Sequence, residues 1–346
     1  MTSTSFISSL SLWNAPRSGA ARLQAEAAKA TREIADGRYA DVGLALGRGV
    51  ARSLSLRQGS AALAALQDGN GVAALRLGAS QAALQQMQKT VDASLRNLTG
   101  LPDAQRAAAA AGTAGSELAA LVDALNASTA GQYVLSGTNT RAPPIRAGAA
   151  AQGTAAVAAA FQAAFRVAPG DPSAAAVTAD DMQAFLDGPV AGLFSEAGWA
   201  AGWSQASSRN IESRISLGET LETSANANAA PFRRAAMAYA IAAGLGLGRL
   251  SAAAQSVATG RVMSLLSQAS SGLTGLQADL GRAQARITDA NGRMDAQAAL
   301  LSGEITRLEA VDPAEAKVRV DRLTTQMQMS YALTAQLRQL SLVQFL

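Results

Sequence analysis

From Leu56 onward, apolar residues return every seven positions at Leu63, Leu77, Leu84, Val91 and Leu98, and only Asn70 puts a polar side chain in that row. A companion row, Leu66, Ala73, Met87 and Leu101, follows three residues behind, the spacing that places both rows on one face of a helix. The pattern predicts a long amphipathic helix, with Gly69 and Gly71 as the points where it would break. Near the other end, Leu273, Leu280, Ile287, Met294, Leu301 and Leu308 keep heptad spacing without a miss. Neither stripe can stay in water, and two stripes of similar length are most simply satisfied by packing on each other as a coiled-coil-like pair. The two ends of the chain are then brought together. Each Leu-sized side chain buried there contributes roughly 1.5–3 kcal/mol before the entropy of ordering is subtracted.

Between the stripes the pattern changes. Gln132 to Leu135 reads as a short strand, followed by turn chemistry at Ser136, Gly137 and Pro143-Pro144. Ala149 to Arg166 is Ala-rich and predicts a helix, which Gly170-Asp171-Pro172 ends. Thr178 is placed to cap a further short helix whose first turn carries Asp180 and Asp181. Ile211, Ile215, Leu217 and Leu221 predict a hairpin within 210–223, and helix resumes near Pro231. Pro313 opens a final helix with a less regular stripe through Val318, Val320, Leu323, Met327, Leu333, Leu337 and Leu340. The expected class is mainly α: an elongated, coiled-coil-like helical rod built from the two terminal segments, with short β-hairpins and a small middle module.

Composition sharpens this. Hydrophobic residues make up 49% but aromatics only 4%, so the apolar content comes mostly from Ala, Leu and Val, which favours long helices over sandwiches and barrels. With no Cys and no His, disulfides, thiolate metal sites, Cys nucleophiles and His-based triads are all excluded. The net charge of +4 comes from Arg spread singly along the chain, as at Arg22, Arg57, Arg96 and Arg282, with few aromatics beside them, so no nucleic-acid partner is expected. Met1 to Trp13 lacks the basic and apolar regions of a Sec signal, and no stretch has transmembrane length, so no membrane insertion is expected.

Several local features invite a chemical reading and are better explained otherwise. Gly244, Gly246 and Gly248 complete neither phosphate-binding glycine motif and follow no strand. Asp180 with Asp181, and Glu219 with Glu222, sit at an expected cap and an expected hairpin, where carboxylates are ordinary. Asn97 and Asn126 begin sequon triplets that fall in or near helices. Trp199 and Trp203, four residues apart, read as an anchor for the middle module. No catalytic, cofactor-binding or metal-binding residue is assigned, and no enzyme activity is expected. The apolar terminus Leu340 to Leu346 has no evident use in a lone monomer.

The segment Asp312 to Ala316, with Leu323, Gln326, Ser330-Tyr331, Leu340 to Leu342 and Phe345-Leu346, resembles the C-terminal signature of the bacterial flagellin superfamily. Gly37 to Leu44, Gln132 to Thr140 with Pro143-Pro144, and Trp203-Ser204 leading to Glu222 through Asn228 are similar to the hook-associated protein 3 branch, which joins hook to filament. Filament flagellins tend to carry Ser-Ser-Gly where this chain has Ala35-Asp36-Gly37, and the family commonly has Leu where Val343 stands. The resemblance implies export through the flagellar type III apparatus without a cleaved Sec signal, and an extracellular position in the flagellum. It implies as partners the chain itself, another hook-associated protein on the hook side, flagellin or a further junction protein on the filament side, and an export chaperone. Filament flagellin is the alternative within the class; a secreted helical chaperone or adhesin is the alternative outside it.

Five segments are expected. Residues 1–44 form an N-terminal assembly segment that is mobile in the monomer, and 45–130 the N-terminal half of the rod. Residues 131–229 form the middle module, 230–311 the C-terminal half of the rod, and 312–346 the C-terminal assembly helix. Leu333, Leu337, Leu340, Leu342, Val343, Phe345 and Leu346 are the expected assembly surface, because their burial gains free energy only when neighbours arrive.

Overall fold

The computed structural model describes the backbone of residues 9–343 and the side chains of residues 18–336. The helices are α1 (Ser9–Asp36), α2 (Val42–Leu46), α3 (Val50–Thr99), α4 (Asp103–Leu125), α5 (Ala149–Phe165), α6 (Ala179–Phe185), α7 (Ala191–Leu193), α8 (Glu196–Gly202), α9 (Ala230–Gly244), α10 (Ala252–Glu309) and α11 (Pro313–Val343). Two antiparallel hairpins accompany them: β1 (Ser128–Thr129) with β2 (Gln132–Tyr133), and β3 (Glu212–Ser216) with β4 (Glu219–Glu222). The fold is thus mainly helical, as the periodicity predicts. Internal packing divides it into a terminal unit, residues 1–64 with 295–346, and a central unit, residues 65–294.

In the central unit the two heptad stripes meet, antiparallel. Gln81 Nε2 donates to Gln277 O at 2.7 Å, and Gln88 Nε2 to Ser270 Oγ at 2.6 Å, so positions rise along α3 as they fall along α10. Leu77, Leu84, Val91 and Leu98 on α3, and Leu273, Leu280, Ile287 and Met294 on α10, are all buried. Asn70, the polar exception in its row, is buried as well: its Nδ2 donates to Asn291 Oδ1 at 2.6 Å and to Ile215 O at 2.9 Å. It ties α3 to α10 and to the β3–β4 hairpin at one register, the use to which a single amide in a coiled-coil seam is put. The hairpin is held from its other side by Glu219, which pairs with Arg286 at 2.7 Å and Arg293 at 3.3 Å.

Two expectations need correction. Gly69 and Gly71 do not break α3, which runs unbroken from Val50 to Thr99. A mid-helix glycine costs about 1 kcal/mol against Ala, less than the packing of the flanking Leu63, Ala73 and Leu77 returns. Leu101 does not extend the companion row, because α3 ends at Thr99 and the chain turns through Gly100-Leu101-Pro102, where Pro102 precedes the first residue of α4.

The remaining core of the central unit forms around α9. Most of α9 is buried, with an unbroken run from Ala235 through Ala242, while Arg233 and Arg234 near its start are not. α4 lies on it through the stripe Ala107, Ala110, Ala114, Leu118, Leu121 and Leu125, whose small residues allow close approach. α5 packs on another side. The Tyr239 hydroxyl sits 3.3 Å from Ser94 Oγ, and burial pushes its pKa far above the usual tyrosine range.

Candidate assembly interface

The terminal unit is built where α1, the end of α10 and the start of α11 come together. α1 packs along α11. Gly37, at φ +67°, turns the chain out of α1, a conformation that glycine adopts without strain. Its carbonyl accepts from Val311 N at 3.2 Å, and Tyr39 N donates to Glu309 O at 3.0 Å. The loops after α1 and α10 are thereby stitched to each other.

Two buried carboxylates complete the stitch. Glu33, 4% exposed, accepts from Ala40 N at 3.1 Å and from Arg319 at 3.0 Å, joining α1 to α11 across 286 residues of sequence. Glu309, 2% exposed, accepts from Ser53 Oγ at 2.5 Å and from both Nε (2.9 Å) and Nη2 of Arg57, joining α3 to α10. The hydrogen bond from Arg57 holds the Glu309 carboxyl below the usual glutamate range against the opposing effect of burial, with Ser53 and the charges of Arg57 and Arg38 assisting. Because the folded value is depressed, its stabilisation is fully present above the ordinary glutamate pKa of about 4.3 and is lost as pH falls through the folded value. Glu309→Gln is expected to destabilise the terminal unit by about 1–3 kcal/mol at neutral pH, the low side of the range for a buried pair because Arg57 is half exposed. In urea denaturation at several pH values, the gap between parent and variant should shrink as pH drops below about 4. A gap independent of pH would show that the Glu309 charge does not hold this junction.

Exposed apolar side chains are concentrated in this unit. Among the described residues eleven large hydrophobic side chains are exposed, and eight of them, Ile34, Leu44, Leu54, Leu300, Val318, Met329, Tyr331 and Leu333, belong to the terminal unit. The larger central unit exposes only Val72, Leu75 and Leu217. On α11 the buried stripe is Ala316 and Leu323, flanked by half-buried Val320 and Met327. Val318, Met329 and Leu333, exposed by 67%, 54% and 60%, fall on another side of the same helix. A helix with apolar groups on two sides needs two partners, and α1 supplies one. Beside this face a cleft of about 580 Å³ is lined by Glu26, Lys29, Tyr39, Leu44 and Arg322, so it offers both signs of charge around an apolar rim.

Of the residues expected to form the assembly surface, Leu333 is described and exposed. Leu337, Leu340, Leu342, Val343, Phe345 and Leu346 lie outside the residues whose side chains the structure describes. Of the seam residues in the terminal unit, Leu63 is buried and Leu301 and Leu308 are half-buried. Asp181 N donates to Thr178 Oγ1 at 3.1 Å in a helix cap, and Glu222 accepts from Asn210 at 3.0 Å. Asn126 brackets the backbone of Ile145, accepting at 2.8 Å and donating at 3.1 Å. Gly244 ends α9, and Gly246 packs so closely that an added Cβ would lie 2.5 Å from Gly170 N. Trp199 and Trp203 are buried and stacked at 4.9 Å. Sequence reasoning missed the roles of Glu33, Glu309, Arg57 and Arg319; only the nearness of Glu33 to Gly37, and of Glu309 and Arg319 to Pro313, marks the turns they brace. Among the described residues no cluster of three or more Asp or Glu side chains is placed to hold a metal ion, and no helix is long and apolar enough to cross a membrane.

The first and last described helices, α1 and α11, thus pack in one unit, and most of the exposed large apolar side chains among the described residues belong to it. Residues 7–140 match the bacterial flagellin N-terminal helical region, and residues 263–346 match the bacterial flagellin C-terminal helical region. Between them these cover most of the chain, which belongs to the bacterial flagellin superfamily. It is a structural, extracellular component of the bacterial flagellum and acts in motility by self-assembly with other flagellar subunits. No curated protein matches it.

Proposed function

We propose that this chain is a junction subunit that joins the flagellar hook to the filament. The observation that carries an assembly role at the chain ends is the exposed apolar set in the terminal unit, above all Val318, Met329 and Leu333 on the unpartnered side of α11. The junction assignment is supported by the stretches Gly37 to Leu44, Gln132 to Thr140 and Glu222 to Asn228, which are similar to the hook-associated protein 3 branch. In this reading α1 and α11 pack between a hook-associated protein on one side and flagellin or a further junction protein on the other. Leu337, Leu340, Leu342, Val343, Phe345 and Leu346 extend the same assembly surface, and the chain reaches the tip through the flagellar type III apparatus with an export chaperone. Deleting the gene should give cells with bare hooks and unpolymerised flagellin in the medium, read by electron microscopy and immunoblotting. Normal filaments on such cells would overturn the junction role.

Filament flagellin remains the second reading, because the matched terminal regions are those of flagellin itself. Purified protein added to filament seeds separates the two: open-ended growth identifies a flagellin, and arrest after a limited layer identifies a junction subunit.

A further inference from the structure

The central unit contains a pocket of about 240 Å³ that no part of the assembly reading uses. Its lining includes apolar Leu186, Phe194, Met237 and Leu265, three arginines, Arg233, Arg234 and Arg261, and one carboxylate, Asp187. Acceptors are fewer than these donors require. Arg233 reaches Phe194 O at 3.3 Å and Glu196 at 3.2 Å, but its Nε is buried with no acceptor. Glu196 is itself 89% exposed, so it neutralises Arg233 weakly. Arg261 pairs with Asp187, and among the described residues Arg234 has no salt-bridge partner. The start of α9, from which Arg233 and Arg234 project, has no side-chain cap, so the helix dipole adds positive potential beside them. A pocket lined by apolar side chains and by three arginines with a single carboxylate among them is complementary to a compact apolar body that carries one carboxylate.

We propose that this pocket binds a small organic carboxylate, with the apolar portion against Phe194, Met237 and Leu265 and the carboxylate held by Arg234 and Arg233. The volume is enough for a body of about the size of one aromatic ring. The test is calorimetric titration of the full-length purified chain at low salt with benzoate, inorganic phosphate and benzyl alcohol. Benzoate should bind saturably at one site per chain, with phosphate and benzyl alcohol each at least about tenfold weaker, since each lacks one half of the recognition. Arg234→Gln changes an exposed residue, so the fold should persist by circular dichroism while benzoate binding weakens about tenfold. Absence of saturable benzoate binding, equal binding of phosphate, or unchanged affinity in the Arg234→Gln chain would each overturn the proposal.

Discussion

Changing Val318, Met329 and Leu333 together to Asp should abolish assembly while leaving the isolated subunit folded. All three are more than half exposed, so their replacement removes little packing within the chain, and each change alone should alter stability by no more than about 0.5 kcal/mol. In an assembly the same side chains would be buried against a neighbour, each contributing roughly 1.5–3 kcal/mol, and Asp in their place would add the cost of an unpaired buried charge. Three such losses exceed about 4 kcal/mol, which is at least a thousandfold in association. The measurement pairs motility of the complemented deletion strain with thermal unfolding of the purified protein. Retained motility with normal export would remove α11 from the interface, whereas a large drop in melting temperature would mean that the face is buried within the subunit itself.

Gly153→Ala should be among the most damaging single-methyl additions in the molecule, costing about 3 kcal/mol in the central unit. Gly153 is buried on α5, and a Cβ there would lie 2.0 Å from Cζ2 of Trp203 and 2.8 Å from its Cε2. The indole cannot swing away, because it is stacked on Trp199 at 4.9 Å and has Phe194 at 5.6 Å on its flank. Trp199 is fixed in turn by donating from Nε1 to Ala227 O at 3.1 Å. The contrast is Gly115→Ala on α4, where a Cβ meets nothing within 4 Å; it should stabilise by about 0.5–1 kcal/mol through helix propensity alone. Urea denaturation followed by tryptophan fluorescence distinguishes the two, and a Gly153→Ala chain as stable as the parent would contradict this packing.

The two predictions depend on features of different legibility. The helix that carries Leu333 could be read from Pro313 and the apolar spacing behind it, because a helix start and a 3.6-residue period are local properties. That Val318 and Met329 would remain on an uncovered side could not, since exposure depends on where α1 lies. The Trp199–Trp203 pair could be recognised as an anchor from its spacing, yet nothing near Gly153 marks it as the residue against which Trp203 closes.

The heptad stripes, the Thr178 cap and the hairpin around Leu217 were determined by the sequence, because each depends on the order of residues within a few turns of backbone. Long-range pairing decided the rest. Asn70 reads as a flaw in its stripe until Asn291 and Ile215 O are placed beside it. Glu33 and Glu309 are unremarkable carboxylates in sequence, and become the joint of the terminal unit only when Arg319 and Arg57 arrive from distant segments. α4 and α9 meet through Ala-rich faces, and small side chains let any two such helices approach, which leaves the choice of partner to the path of the whole chain. Local period fixes which face of an element must be buried, and only the tertiary structure decides what buries it.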